Sequence, residues 1–179
     1  MEIDRATADD LGAVACVHVR AWQHAYRGVM PADYLASLSV ASREAGWRRS
    51  FHDSPGELLV AKKTVQGQGQ VVGFVSFGAS RDDDAPAGRG EVWALYVDPG
   101  HWSTGAGRLL WRAALERLQA SGYNSVSLWV VAGNERAWRF YRRAGFREDP
   151  QGSTTFEIGG ATVEEQRLVR DLAPGGMTD

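Results

Sequence analysis

Cysteine occurs once in these 179 residues, as Cys16. That excludes a disulfide framework within one chain and leaves a cysteine-based metal site without a second thiolate. Cys16 falls in a helical pattern and reads as a buried structural thiol. Long apolar runs are also missing: no segment approaches the ~18 consecutive apolar residues of a membrane helix. An excess of either charge is also missing, since the net charge is only −2, too small to suggest a general nucleic-acid or membrane-surface binder. The opening Met-Glu-Ile-Asp-Arg lacks the charged-then-apolar order of a secretory signal. These absences together predict a cytoplasmic protein with no metal, nucleic acid or membrane partner.

What is present is ordinary globular composition, 44% hydrophobic and 23% charged. A chain of this length buries roughly 70% of its unfolded surface and needs no staples. One domain over residues 1–172 is expected, with 173–179 as a loose tail. Glu2 to Ala6 suits a first strand, and Thr7 precedes Asp10 by three positions, the spacing of a capping box. Leu11, Val14, His18, Ala21, Trp22 and Ala25 recur at helical spacing until Gly28 and Pro31. Short helices are expected over Ala32–Leu38 and Ser42–His52. Leu58–Ala61 and Val71–Phe77 read as a hairpin around Gln66-Gly67-Gln68-Gly69. Ala79–Gly90 is a polar loop whose Asp82-Asp83-Asp84 run reads as a solvated tip rather than a metal site.

The second half alternates strand and helix. Strands are expected over Glu91–Val97 and Ser125–Val131, helices over Arg108–Ala120 and Asn134–Ala144, and final strands over Phe146–Ile158 and Thr162–Leu172. The predicted class is α/β (α+β): a single mixed, mostly antiparallel sheet with helices on both faces.

The most informative segment runs from Leu95 to Leu110. A strand ends, a turn of small residues follows (Trp102-Ser103-Thr104-Gly105-Ala106-Gly107), and a helix opens. Such a turn gathers unpaired backbone N–H groups at the positive end of a helix, which favours an anion such as phosphate. Glycines at 105 and 107 let the backbone approach its ligand. Three readings stand for the turn alone. A Walker loop requires Gly-Lys-Ser/Thr where this chain has Gly107-Arg108-Leu109. A dinucleotide fingerprint requires a third glycine. A plain strand-to-helix connection requires nothing further.

The same residues resemble motif A of the GNAT superfamily of acetyl-CoA-dependent N-acetyltransferases, Gln/Arg-x-x-Gly-x-Gly/Ala, with Trp102 in place of the first Gln or Arg. The block from Asn134 to Phe146 resembles the family's motif B in its Asn-x-x-Ala, Phe-Tyr and Gly-Phe elements. The two blocks stand in the family's order and spacing, and the close resemblance covers Glu91–Phe146.

The resemblance implies a GNAT-like fold with acetyl-CoA as cosubstrate and direct transfer to a primary amine of a small molecule or peptide. The backbone of Leu95 and Val97 would pair with the pantetheine arm, and the Leu95 N–H would polarise the thioester carbonyl. Trp102, Ser103, Thr104, Gly105, Ala106 and Gly107 would hold the pyrophosphate, with Arg108 as a cationic helper. Asn134 would contact the pantetheine, cap its helix, or do both. Glu91 stands where some members carry a glutamate base; the other reading is an exposed strand-end carboxylate. Tyr141 stands where many members carry the phenol that protonates the leaving thiolate; the other reading is a core aromatic. Arg142 and Arg143 suit either a 3′-phosphate or a solvated face. His18 reads as a satisfied core histidine, while Trp22 and Tyr26 border the acceptor side or the core. A homodimer is compatible with the family, and a catalytically inactive acyl-CoA sensor is the rival to an enzyme.

Overall fold

The computed structural model describes residues 1–53, 56–65 and 67–172. The predicted tail and Gln66 of the predicted hairpin turn lie outside the described residues. The elements, in chain order, are β1 (Glu2–Arg5), α1 (Leu11–Ala25), α2 (Ala32–Ser37), α3 (Val40–Asp53), β2 (Glu57–Val65), β3 (Gln68–Ala79), β4 (Arg89–Val97), α4 (Ala106–Ala120), β5 (Ser125–Val131), α5 (Glu135–Arg143), β6 (Arg147–Ile158) and β7 (Ala161–Asp171). They form one seven-stranded sheet in the order β1-β2-β3-β4-β5-β7-β6. Among the described strands only β4 and β5 pair in parallel; the other strand pairings are antiparallel. The predicted mixed sheet with helices on both faces is the fold that forms.

Both faces are covered, which explains the unbroken apolar run in β2. Leu59 and Ala61 face a core built with Leu110, Trp111, Ala114 and Leu118 of α4. Leu58 and Val60 face Leu11, Val14 and Val17 of α1. A strand buried on both sides reads as continuous rather than alternating hydrophobicity. At the chain start, the Thr7 N–H and hydroxyl both donate to Asp10, at 2.9 and 3.0 Å, and Lys62 binds the same carboxylate. Cys16 is half-buried and free, so it is less enclosed than its helical position predicted.

Several boundaries move. α4 opens at Ala106 rather than Arg108, because Gly105 takes the cap at φ +93°. α3 opens at Val40, and β4 begins two residues early, at Arg89. β6 carries an irregularity between Glu148 and Ser153.

The Asp82–Asp84 run is not a solvated tip. Asp82 and Asp84 both bind the guanidinium of Arg167 on β7, at 3.1 and 2.6 Å, and Asp149 binds its Nε at 2.9 Å. Arg167 is buried and stacks over Trp129 of β5, whose indole N–H donates to Asp82. A buried guanidinium requires counter-charge, and the loop before β4 supplies it. This latch pulls that loop over β5 and β7.

α1 is seated by His18. Its Nδ1 accepts a hydrogen bond from the Trp47 indole at 3.2 Å, and its ring stacks on Tyr96 at 5.0 Å. Its Nε2 is buried without a hydrogen-bond partner among the described residues, so the predicted core histidine is satisfied on one nitrogen. Burial, assisted by Arg43, lowers its pKa to about 3 from an ordinary 6.5. Between those values the unfolded chain binds a proton that the folded chain refuses, so stability is lost as pH falls through this window. The slope is about 1.4 kcal/mol per pH unit at most. Urea melts from pH 7 to pH 4 should show the slope in the native protein and a shallower one in His18→Gln, which keeps an acceptor for Trp47 but does not titrate. Equal slopes would remove His18 as the cause.

Candidate active site

The site begins with a break in the sheet. β4 and β5 pair only from Arg89↔Ser125 to Glu91↔Ser127, although both strands run on. The break coincides with a bulge. On β3, Ser76 pairs with Ala94 and Phe77 with Val92, which leaves Trp93 as an extra residue in β4. A bulge bends its strand and raises the local twist. The Trp93 ring lies across Gly78, where a Cβ would come within 2.6 Å of it, and its N–H donates to Ala79 O. Beyond the bulge β4 leaves β5, and a wedge opens between them.

The wedge carries unpaired backbone. The Asp98 N–H donates to Val72 O on β3 at 2.8 Å. By strand alternation Tyr96 faces β3 as well, while Leu95 and Val97 direct their N–H and C=O groups into the wedge. Trp102 takes one of these groups: its indole N–H donates to Val97 O at 2.8 Å. The Leu95 amide pair and the Val97 N–H are left.

At the mouth of the wedge lies the turn from Trp102 to Gly107. Asp98 starts it by accepting from Gly100 N at 2.9 Å while paired with Arg20 of α1. Ser103 and Gly105 both take positive φ, +62° and +93°. For a residue with a Cβ that region costs roughly 1–2 kcal/mol, so glycine at 105 has a clear reason. Gly107 is different, because a Cβ there would make only ordinary contact with Val97 and Phe140. The first helical bond closes from Leu109 N to Gly105 O. The N–H groups of Ala106, Gly107 and Arg108 therefore have no acceptor within the helix, at its positive end. Ser103, Thr104 and Arg108 are exposed beside them.

Trp102 is more than a substitute for Gln or Arg. Arg136 of α5 stacks over its ring at 4.4 Å and donates to the Ser103 hydroxyl, and His24 of α1 meets the ring edge-on at 6.3 Å. The turn is thus tied to both helices that flank the wedge. Arg136 had no predicted role; its place two residues after Asn134, on the first turn of α5, was the available signal. Asn134 caps α5, its side-chain oxygen accepting from Ala137 N at 3.1 Å. Arg142 is committed to Glu148 at 2.7 Å and stacks over Trp138, whereas Arg143 is exposed.

Tyr141 comes from α5 and is buried against Phe140 and Phe146 on the α4 face of the sheet. Tyr96 belongs to the opposite face, packed with α1, and its hydroxyl lies 3.2 Å from that of Tyr26. Even so, the Tyr141 phenol is close enough to both to interact electrostatically with them. Two faces of a sheet communicate where no strand lies between them, and here that place is the wedge. Burial raises the pKa of all three phenols, so all are protonated at neutral pH.

Glu91 is not an exposed strand end. It is 3% exposed, and Arg81 occupies both of its oxygens, through its backbone N–H at 2.7 Å and its guanidinium at 3.1 Å. Arg81 also lies over Trp93 at 4.9 Å. Next to it, a cavity of about 730 Å³ opens between the sheet and α3, lined by His18, Arg43, Trp47, Arg81 and Trp93. Trp22 and Tyr26 meet edge-on at the α1 side of Tyr96. Among the described residues no group of His, Cys, Asp and Glu is arranged to hold a metal, and no helix is long and apolar enough to cross a membrane.

Comparison with known proteins places this geometry. Residues 19–146 match the model of the acetyltransferase (GNAT) family. The uncharacterized N-acetyltransferase YuaI of Bacillus subtilis is 31% identical over 93% of this chain and 90% of its own. The mycothiol acetyltransferase of Propionibacterium freudenreichii is 33% identical over 82% of this chain, which spans only 43% of that protein. In fold, the chain superposes with a TM-score of 0.72 on yncA of Salmonella typhimurium, solved with its cofactor acetyl-CoA, at 21% identity and covering 100% of this chain and 98% of that one. The chain belongs to the GNAT family of acetyl-CoA-dependent acetyltransferases.

Proposed function

We propose that this protein moves the acetyl group of acetyl-CoA directly to a primary amine of a small molecule or peptide. The observation that carries the reading is the wedge itself, with unpaired β4 amides along one wall and orphan α4 amides at its mouth. The pantetheine arm pairs with the Leu95 amide groups and the Val97 N–H as an added strand. It gains one bond fewer than a free strand edge offers, because Trp102 holds the Val97 carbonyl. The N–H groups of Gly105, Ala106, Gly107 and Arg108 bind the pyrophosphate, with Ser103, Thr104 and the Arg108 cation beside them. Trp102 acts by fixing the turn between Arg136 and His24. Asn134 holds the start of α5 and offers its side-chain N–H groups to the pantetheine.

The Leu95 N–H polarises the thioester carbonyl and stabilises the negative charge that develops on its oxygen. Tyr141, kept neutral by burial, supplies the proton that the departing thiolate needs. Glu91 is the family-position candidate for the base. With Arg81 on both oxygens, it could reach a substrate proton only through water, and it braces the loop beside the Trp93 bulge.

The test is release of CoA thiol from acetyl-CoA across a panel of amines, polyamines, amino acids and peptides. With the amine that turns over, Tyr141→Phe should lower kcat by about 10²-fold or more and leave CoA affinity within twofold. An unchanged kcat would take Tyr141 out of the chemistry. No turnover of any amine in the panel would contradict the proposed acceptor class.

A further inference from the structure

Two carboxylates lie on the α1 side of the sheet near the wedge, and their surroundings differ. Glu91 is held by Arg81. Glu165 of β7 is half-buried; its backbone pairs with β5 and β6, but its carboxylate has no hydrogen-bond or ion-pair partner among the described residues. Register fixes where its side chain emerges. Glu165 stands directly opposite Val131 of β5 and two residues beyond Val163, so alternation puts all three side chains on one face. Val131 and Val163 pack against Tyr26. The Tyr26 hydroxyl touches that of Tyr96, and Tyr96 follows Leu95, whose N–H enters the wedge. Tyr141 lies on the far side of the gap, close enough to influence the same phenols electrostatically.

The charged and titratable groups around Glu165 can be named. α1 contributes Tyr26, and β4 contributes Tyr96 with His18 stacked on it. α5 contributes Tyr141, which reaches Tyr26 and Tyr96. On β7 itself the next residue of the same face is Arg167, already bound by Asp82, Asp84 and Asp149. β6 sets Thr154 opposite. Arg43 of α3 is stacked on Trp22. A half-buried carboxylate close enough to two phenols to raise their pKa values, with no cation paired to it among the described residues, is costly to desolvate. A cationic ligand relieves that cost.

We infer that Glu165 receives the acceptor: it binds the incoming primary amine as its ammonium and takes the proton that must leave before attack. This rests on the acetyl-transfer reading above and deepens it, since the acceptor is then an alkyl amine that arrives charged. The Glu165 carboxylate accepts one ammonium proton, and the freed lone pair forms the C–N bond to the thioester carbon. The C–S bond breaks with its electron pair on sulfur, which takes the Tyr141 proton. The new amide nitrogen sheds its second proton to restore Tyr141, and Glu165 returns its own to solvent. The products are an acetamide, a free thiol and one proton. Burial raises the Glu165 carboxyl above its ordinary range, the direction that suits a base working near neutral pH.

The experiment compares Glu165→Gln, Glu91→Gln and the native protein in kcat/KM for the amine from pH 5 to pH 9, in CoA affinity by calorimetry, and in thermal melts. Glu165→Gln should lower kcat/KM by at least ~10²-fold, abolish the acid limb of the profile, and bind CoA within twofold of native. A carboxyl with a raised pKa costs stability as pH rises through it, so Glu165→Gln should melt at or above the native temperature at pH 7.5. The inference is overturned by a native rate and acid limb in Glu165→Gln, by an acid limb lost only in Glu91→Gln, or by a rate loss that follows weaker CoA binding or a lower melting temperature. Failure of the native protein to bind CoA would instead overturn the acetyl-transfer reading beneath it.

Discussion

Everything in this molecule turns on one lost strand pairing. β4 and β5 begin as parallel neighbours and separate after Glu91 and Ser127. The extra residue in β4 is Trp93, and its indole spreads across Gly78 where any other residue would collide. A sheet interior that leaves backbone N–H and C=O groups unpaired gives up hydrogen bonds that an ordinary sheet would keep. The GNAT fold accepts that loss in the middle of its sheet. The proposed function gives it a purpose, since the arm of acetyl-CoA supplies the missing strand.

The elements around the wedge serve to hold it open and line it. The Arg167 latch draws the loop before β4 over β5 and β7, and so anchors the far side of the bulge. Trp102 ties the turn before α4 to α1 and α5 while taking one carbonyl of β4 for itself. Phenols from three elements lie around the gap: Tyr26 at the end of α1, Tyr96 of β4 and Tyr141 of α5. Their burial keeps them protonated; in the proposed reaction this leaves the acceptor's proton to a carboxylate.

Much of this was legible in the sequence, and the rest was hidden for physical reasons. Period and punctuation revealed the element order, because Gly28, Gly105, Gly122 and Gly145 stand where helices end or begin and all take positive φ. The turn from Trp102 to Gly107, with Gly105 at positive φ before α4, was legible because its geometry is local. The Trp93 bulge was not, since a two-against-one register exists only between strands. Nor was the pairing of Asp82 and Asp84 with Arg167, more than eighty residues away, and a run of three aspartates read alone resembles a solvent tip. Glu91 was placed on the correct strand end but not with Arg81 on its oxygens. Glu165 left a faint signal: Val163, Glu165, Arg167 and Val169 alternate on one face of a strand, and a carboxylate among buried positions invites the question of its partner.

The wedge can be tested amide by amide. Hydrogen exchange measured with and without saturating CoA should show slowed exchange at Leu95, Val97, Ala106, Gly107 and Arg108, with Tyr96, which already faces β3, unchanged. Tight CoA binding that leaves those five amides exchanging at their free rates would contradict the account.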